Sequence, residues 1–245
     1  MPDTPELSVV VPVHNEAENL APLIAEIRQA LAGRVSHEIV YVDDGSTDDT
    51  PARLAALRRT VPELVVLRHR ATCGQSTALH TGIRHARGRW VATLDGDGQN
   101  DPADIPRLLE ALCSGAGPDR RLVTGLRARR NDTATRRLSS RIANGVRSSL
   151  LHDATPDTGC GLKVFPRAFF LEFPFFDHMH RFLPALALRH GGNVVSVPVH
   201  HRPRVRGRSH YGIANRLWVG IVDLFGVRWL IRRMTRPRIV ETSDP

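Results

Sequence analysis

At 245 residues, with 41% hydrophobic and 24% charged side chains, the chain has the composition of a folded globular protein with an extensive core, which excludes a disordered or collagen-like polymer. Three cysteines, Cys73, Cys113 and Cys160, are too few and too scattered for a disulfide framework or a structural zinc site, and they fit a reducing cytosol. The net charge of +9 is graded along the chain. Residues 201–245 carry ten Arg against three acidic residues, whereas residues 1–100 carry ten Arg against thirteen. Basicity gathered at one end suits an anionic surface or a phosphorylated acceptor.

The first residues, MPDTPELSVVVPV, lack a basic segment followed by an apolar run and a small-residue cleavage site, so export by a signal peptide is not expected. Leu7–Val13 reads as a buried strand. Asn15 is the expected N-cap of a helix running to Ala32, whose apolar positions Leu20, Leu23, Ile24, Ile27 and Leu31 share one face. Ile39–Val42 is the next strand and ends in Asp43-Asp44-Gly45-Ser46. A helix over 49–59, a strand over 64–67, a helix over 76–86 and a strand over 90–94 follow. Asp101-Pro102 opens another helix with Pro at its first position, and 122–124 is a further strand. Strands alternating with helices predict βαβ units and an α/β fold on a mostly parallel sheet.

Three polar clusters fall where these strands run out: His14-Asn15-Glu16, Asp43-Asp44, and Asp95-Gly96-Asp97 with Gln99. Ligands of open α/β sheets collect at that edge. In extended backbone, residues two apart point to one side, so Asp95 and Asp97 suit a divalent Mg²⁺ or Mn²⁺ that also holds a diphosphate. An isolated Asp-Gly-Asp-Gly also suits a surface turn, and the coincidence of three such clusters favours the ligand site. No Gly-x-Gly-x-x-Gly turn follows the first strand, and Lys163 is followed by Val164, which sets aside dinucleotide-binding and P-loop folds. An EF-hand fails at Asn100 and Pro106, where Gly and Glu are required.

From Leu7 to about Gly212 the motifs resemble those of glycosyltransferase family 2, inverting enzymes with a GT-A-type fold. Val11-Pro12-Val13-His14-Asn15-Glu16, Val42-Asp43-Asp44-Gly45-Ser46 and Leu94-Asp95-Gly96-Asp97-Gly98-Gln99 carry the resemblance. Residues 157–163 (DTGCGLK) and 201–211 (HRPRVRGRSHY) are similar to the polyprenyl-phosphate branch, which includes dolichyl-phosphate mannose synthase. The resemblance implies transfer of a sugar from a UDP- or GDP-sugar to a polyprenyl (undecaprenyl or dolichyl) phosphate.

By position, the resemblance places Pro12, His14, Glu16, Val42, Asp44, Asp95, Gly96, Gln99, Arg204 and His210 around the donor and gives the metal to Asp95 and Asp97. Asp97, Asp157 and Arg127 become the catalytic candidates, with Arg127 and Arg141 at the acceptor phosphate. His14 replaces the usual Tyr and His210 the usual Lys. Asp157 is open to three readings: a base, a group that orients an Arg or the sugar, or the cap of an Asp-Thr-Gly turn.

The segment 212–245 is expected to follow a catalytic domain of 1–211 as one or two basic, amphipathic interfacial helices broken near Gly226. Trp218 and Trp229 fall on one face, and no run reaches the roughly 20 apolar residues of a membrane span. Packing of this segment as a core helix is the competing reading. The expected setting is the cytoplasmic face of a membrane, peripheral to its anionic surface, with a separate membrane-protein partner possible. Nucleic acid is not the expected partner despite a pI near 10.9, because aromatic residues are 5% and no nucleic-acid motif is visible. A glycosyltransferase with a saccharide or protein acceptor is the main alternative.

Overall fold

A computed structural model describes residues 4–127, 145, 147–203, 213–233 and 235, with side chains of the last helix from 220 onward. Seven strands form one sheet in the order β3-β2-β1-β4-β6-β5-β7. In chain order they are β1 (Leu7–Val13), β2 (His37–Asp43), β3 (Leu64–Arg68), β4 (Trp90–Thr93), β5 (Arg121–Arg127), β6 (Lys163–Pro166) and β7 (Asn193–Val199). All neighbouring pairs are parallel except those of β6, which runs antiparallel to both β4 and β5.

Helices among the described residues include α1 (Leu20–Leu31), α2 (Thr50–Leu57), α3 (Gln75–His85), α4 (Ile105–Cys113), α5 (Arg167–Leu171), α6 (Leu183–Arg189) and α7 (Ile213–Arg233). They cover the sheet on both sides, so β1 is buried along its whole length and its residues alternate between two cores. Val9, Val11, Ile39 and Tyr41 pack with the apolar faces of α1 and α4. Val10, Val40 and Val91 pack on the opposite side with α3, α5 and α6. The fold is the expected mixed α/β architecture on a mostly parallel sheet.

Two local expectations are corrected. Asn15 does not cap α1, which begins at Leu20 after Asn19. Asn15 instead takes φ 57°, and its side-chain oxygen accepts the N–H groups of Thr47 at 2.8 Å and Asp48 at 3.3 Å. Ties to the loop after β2 thus override the local capping preference. The last helix is not broken near Gly226: α7 is continuous over 21 residues. A helical Gly costs only about 1 kcal/mol, and its neighbour Val227 is fully buried against Leu151, Phe182 and Ala185, which holds the helix through that position. Among the described residues, no helix is long and apolar enough to cross a membrane.

Candidate active site

Strands β1, β2, β3, β4, β5 and β7 run in one direction, so their carboxyl ends share an edge, and the antiparallel β6 begins at that same edge with Lys163. The edge therefore collects His14–Glu16, Asp43-Asp44, Asp95–Gln99, Arg127, Asp157–Lys163 and Arg202 from stretches far apart in sequence. The chain leaves β1 toward β2 on one side while β4 lies on the other. That reversal of strand order opens a crevice beside the first Asp cluster.

On the β1–β2 side the polar groups brace one another. His14 donates from Nδ1 to the Asp44 carbonyl at 2.9 Å, and the Glu16 N–H donates to Thr50 Oγ1 at 3.0 Å. Buried Asp44 accepts from His69 Nδ1 at 2.7 Å and from the N–H groups of Cys73 and Gly74 at 2.9 and 2.8 Å. Ligand-type atoms of Asp44, His69 and Cys73 lie within 4.8 Å of one another. Because the carboxylate oxygens are already taken up by N–H donors, this cluster acts as a hydrogen-bonded support. Pro12 and Val42, expected to line a nucleotide, are buried near the carboxyl ends of β1 and β2, next to the polar residues that follow them.

The Asp pair follows β4. Gly96 runs so close to β1 that a Cβ there would stand 2.4 Å from Val13 Cγ1, which explains glycine between the two carboxylates. Asp95 accepts from Gln75 Nε2 at 2.8 Å, and Asp97 accepts the Gln99 N–H at 3.1 Å. Burial and then the neighbouring Asp97 charge push the Asp95 carboxyl up to about 6, against the opposing pull of Lys163 and Arg127. Asp95 also lies over Gly161, where a Cβ would be only 2.2 Å from its Oδ2. Two adjacent carboxylates of which one resists ionisation, beside a backbone position stripped of its side chain, fit a divalent cation with oxygen ligands. Gln99 is drawn to the chain leaving β7: its Nε2 donates to the Arg202 carbonyl at 3.3 Å, and the Arg202 N–H donates to the Gln99 carbonyl at 2.9 Å.

Arg127 and Asp157 meet as a two-pronged pair, with Nε and Nη2 donating at 2.7 and 2.8 Å to the two carboxylate oxygens. Asp157 is buried, and Arg127 is only 16% exposed. Burial works against the Arg127 charge, and the Asp157 contacts outweigh it and raise its pKa. The loop carrying Asp157 is held from beneath by Arg147, which donates to the Thr155 carbonyl and Thr158 Oγ1 and faces buried Asp153 at 3.4 Å.

Of the residues expected from sequence, His14, Glu16, Asp44, Asp95, Gly96, Asp97, Gln99, Arg127 and Asp157 gather at this edge, while Arg141, Arg204 and His210 lie outside the described residues. Gln75, Lys163, His180 and Arg181 were not singled out. Gln75 opens α3 just past the end of β3, so the strand-end rule could have found it. His180 carried no local signal, because its partner Ser76 is 104 residues away.

A family model described as "Glycosyl transferase family 2" matches residues 8–173. The dodecaprenyl-phosphate galacturonate synthase of Rhizobium johnstonii is 35% identical over 95% of this chain and 69% of its own length. The undecaprenyl-phosphate 4-deoxy-4-formamido-L-arabinose transferase of Edwardsiella ictaluri is 34% identical over 84% of this chain. This chain spans 63% of that relative's length. Among solved structures, a mannosyltransferase from Pyrobaculum calidifontis in complex with GDP-Man and Mn²⁺ matches with a TM-score of 0.66 and 25% identity, covering 96% of this chain and 67% of its own. Glucosyl-3-phosphoglycerate synthase from Mycobacterium tuberculosis, with Mg²⁺ and UDP, shares the fold at a TM-score of 0.68 and 19% identity, covering 93% of this chain and 79% of its own. With two thirds of its length under the family model and the Asp pair at the expected strand end, the chain belongs to glycosyl transferase family 2.

Proposed function

We propose that this chain transfers a sugar from a nucleoside-diphosphate sugar to a polyprenyl phosphate at a membrane surface. The observation that carries this reading is the convergence, at one sheet edge, of the Asp95–Asp97 pair with the Arg127–Asp157 pair. The first suits a metal-bound diphosphate and the second an anionic acceptor, and the named relatives act on polyprenyl phosphates.

Asp97 and Asp95 would hold Mg²⁺ or Mn²⁺, which when bound offsets the negative charge that develops on the departing diphosphate. Lys163 and Arg127 lie close enough for their charges to act on Asp95, and they keep this carboxylate site from being overwhelmingly negative before a donor arrives. An acceptor phosphate has a second pKa near ~6, so its oxygen is already ionised near neutral pH and needs no strong base to attack the anomeric carbon. Asp157, with both oxygens engaged by Arg127, is then a positioning residue: it aims the guanidinium at the phosphate. His14, Glu16 and the braced Asp44 are assigned to the nucleotide, and Arg127 to the acceptor. The sequence resemblance alone assigns Arg204 and His210 to the donor and Arg141 to the acceptor.

The basic segment 212–245 is assigned to the membrane, at its cytoplasmic face. One side of α7 packs on the protein through Val227, and the other exposes Val222, Phe225 and Trp229 at 56, 59 and 58%. Arg233 lies over the Trp229 ring at 6.0 Å, so cationic and apolar groups share the exposed side, as lipid headgroups require. A separate membrane-protein partner is compatible with the same surface.

The test is incubation of purified protein with UDP- and GDP-sugars, with and without undecaprenyl phosphate, and with a chelator as control. Transfer that needs both the lipid phosphate and the metal is expected. Equal transfer without the lipid phosphate would reject the acceptor, and full activity after complete metal removal would reject the role of the Asp pair.

A further inference from the structure

Beside Asp95 a cavity of about 230 Å³ opens between the end of β4, the start of α3 and the short turn Met179–Arg181 that leads into α6. It is smaller than the about 300–1,000 Å³ of pockets that hold drug-sized ligands, and its size suits a single sugar ring. Gln75, Thr93, Asp95, Lys163 and His180 stand in its wall. Thr93 is turned to the Gly161 carbonyl and Lys163 to the Cys160 carbonyl. His180 is held by one ring nitrogen only.

Ser76 Oγ lies 2.7 Å from His180 Nδ1 and accepts the His180 backbone N–H at 3.2 Å. Ser76 is buried, and among the described residues its hydroxyl has no other partner. A ring proton on Nδ1 would leave the hydroxyl hydrogen without an acceptor. A proton on Nε2 lets Oγ–H donate to Nδ1, so the network assigns the Nε2–H form. Among the described residues Nε2 has no hydrogen-bond partner, and it is not closed off from solvent. Buried His190, by contrast, has both ring nitrogens engaged, by the Leu186 carbonyl and by Arg189. The turn that carries His180 is well anchored. Met179 is buried in the same core as Ala78 and Leu79 of α3, and His178 Nδ1 stands 3.1 Å from Asp223 of α7.

We propose that His180 donates from Nε2 to a hydroxyl of the donor's sugar, and that Ser76 is the positioning residue that fixes the ring proton on that nitrogen. The inference rests on the donor reading above and names a residue that selects the sugar at that site. A neutral N–H suits a hydroxyl, which accepts a hydrogen bond and brings no charge that would need offsetting. Burial, and then the charges of Arg181, Lys163 and His178, hold the His180 ring down at about 3, so it stays a neutral donor near neutral pH. Gln75, beside Ser76 in the first turn of α3, gives its side-chain N–H to Asp95 at 2.8 Å. One turn of helix therefore holds both the sugar-reading histidine and a carboxylate of the metal pair.

The experiment measures, by calorimetry with Mn²⁺, the binding of UDP, GDP, UDP-glucose, UDP-galactose, UDP-N-acetylglucosamine and GDP-mannose to wild type, His180→Phe, His180→Gln and Ser76→Ala, each first shown to be folded by its melting curve. His180→Phe keeps a ring and removes the donor. It should weaken the best-bound sugar nucleotide by about 3- to 10-fold, the range for a neutral hydrogen bond, and leave UDP and GDP within about twofold. His180→Gln, which restores an N–H, should recover part of the loss. Ring ¹⁵N shifts of wild type should place the proton on Nε2 and should move on addition of the sugar nucleotide but not of UDP. Ser76→Ala should spread the proton over both nitrogens and cost less affinity than His180→Phe. The proposal is overturned if His180→Phe weakens the nucleoside diphosphates as much as the sugar nucleotides, if it weakens none of them, or if the wild-type ring carries its proton on Nδ1. Absence of any nucleotide binding in the presence of metal would instead remove the donor reading itself.

Discussion

Gly161→Ala is the most direct probe of how the Asp pair is held. A methyl group at residue 161 would stand 2.2 Å from Asp95 Oδ2 and 2.4 Å from its Cγ, where ordinary contacts begin at 3.4 Å. Residue 161 cannot retreat easily. Its carbonyl accepts a hydrogen bond from Thr93 Oγ1 at 2.7 Å, and its neighbours Cys160 and Leu162 are fully buried. The Asp95 carboxylate must therefore move by roughly 1 Å, several times the ~0.2 Å tolerance of a metal–ligand distance. Misplacement by about 1 Å costs on the order of 100-fold in rate, equivalent to about 2.7 kcal/mol of transition-state stabilisation. Added bulk in a packed interior costs a further ~1–3 kcal/mol of stability, so a melting curve must first confirm that the variant is folded. Calorimetric titration of Mn²⁺ in the presence of UDP, together with transfer to undecaprenyl phosphate, reads the effect. A folded Gly161→Ala protein that binds metal and turns over like wild type would refute the placement of Asp95 as a ligand.

The roles of the other carboxylates separate in the same assay. Asp97→Ala should abolish metal-dependent transfer, whereas Asp157→Asn should lose about tenfold, because an amide still accepts one of the two Arg127 hydrogen bonds. Equal loss from both, with donor binding retained in Asp157→Asn, would make Asp157 an obligate base. Metal affinity should fall by about one decade per pH unit below about 6, and level off above it, because the Asp95 proton competes with the cation there. The sign follows from a carboxyl pKa raised by burial and Asp97: the protonated form, which cannot ligate, is populated below that value. Proton release on Mn²⁺ binding at pH 5 and at pH 8 checks this directly, with release expected only at the lower pH. Replacing Phe225 and Trp229 by Ser should weaken sedimentation with anionic vesicles by at least about tenfold without changing the melting temperature, since both side chains are more than half exposed. Unchanged vesicle binding would detach α7 from the membrane.

The alternation of apolar runs and turn residues determined the order of strands and helices through the first half of the chain, because burial on both faces of a parallel sheet leaves continuous Val-, Ile- and Leu-rich segments. The same local pattern located His14, Asp44 and Asp95 at strand ends, and the spacing of Asp95 and Asp97 already spoke for a cation. Local rules failed where distant chain decided the outcome. Asn15 serves the loop after β2 across more than thirty residues, and packing against Leu151 and Phe182 carries α7 through Gly226. The antiparallel insertion of β6 belongs to the same class, since hydrophobic periodicity is blind to strand direction. Only the folded sheet brings Arg127 onto Asp157, rests Asp95 on Gly161 and seats His180 on Ser76. Those contacts join residues 30 to 104 positions apart, and their geometry follows from which strands lie side by side. Sequence by itself thus determined that a metal-suited carboxylate pair ends a buried strand. The tertiary structure decided what surrounds that pair: a cavity lined by Gln75, Asp95, Lys163 and His180, and an Arg127 held by Asp157 at the same sheet edge.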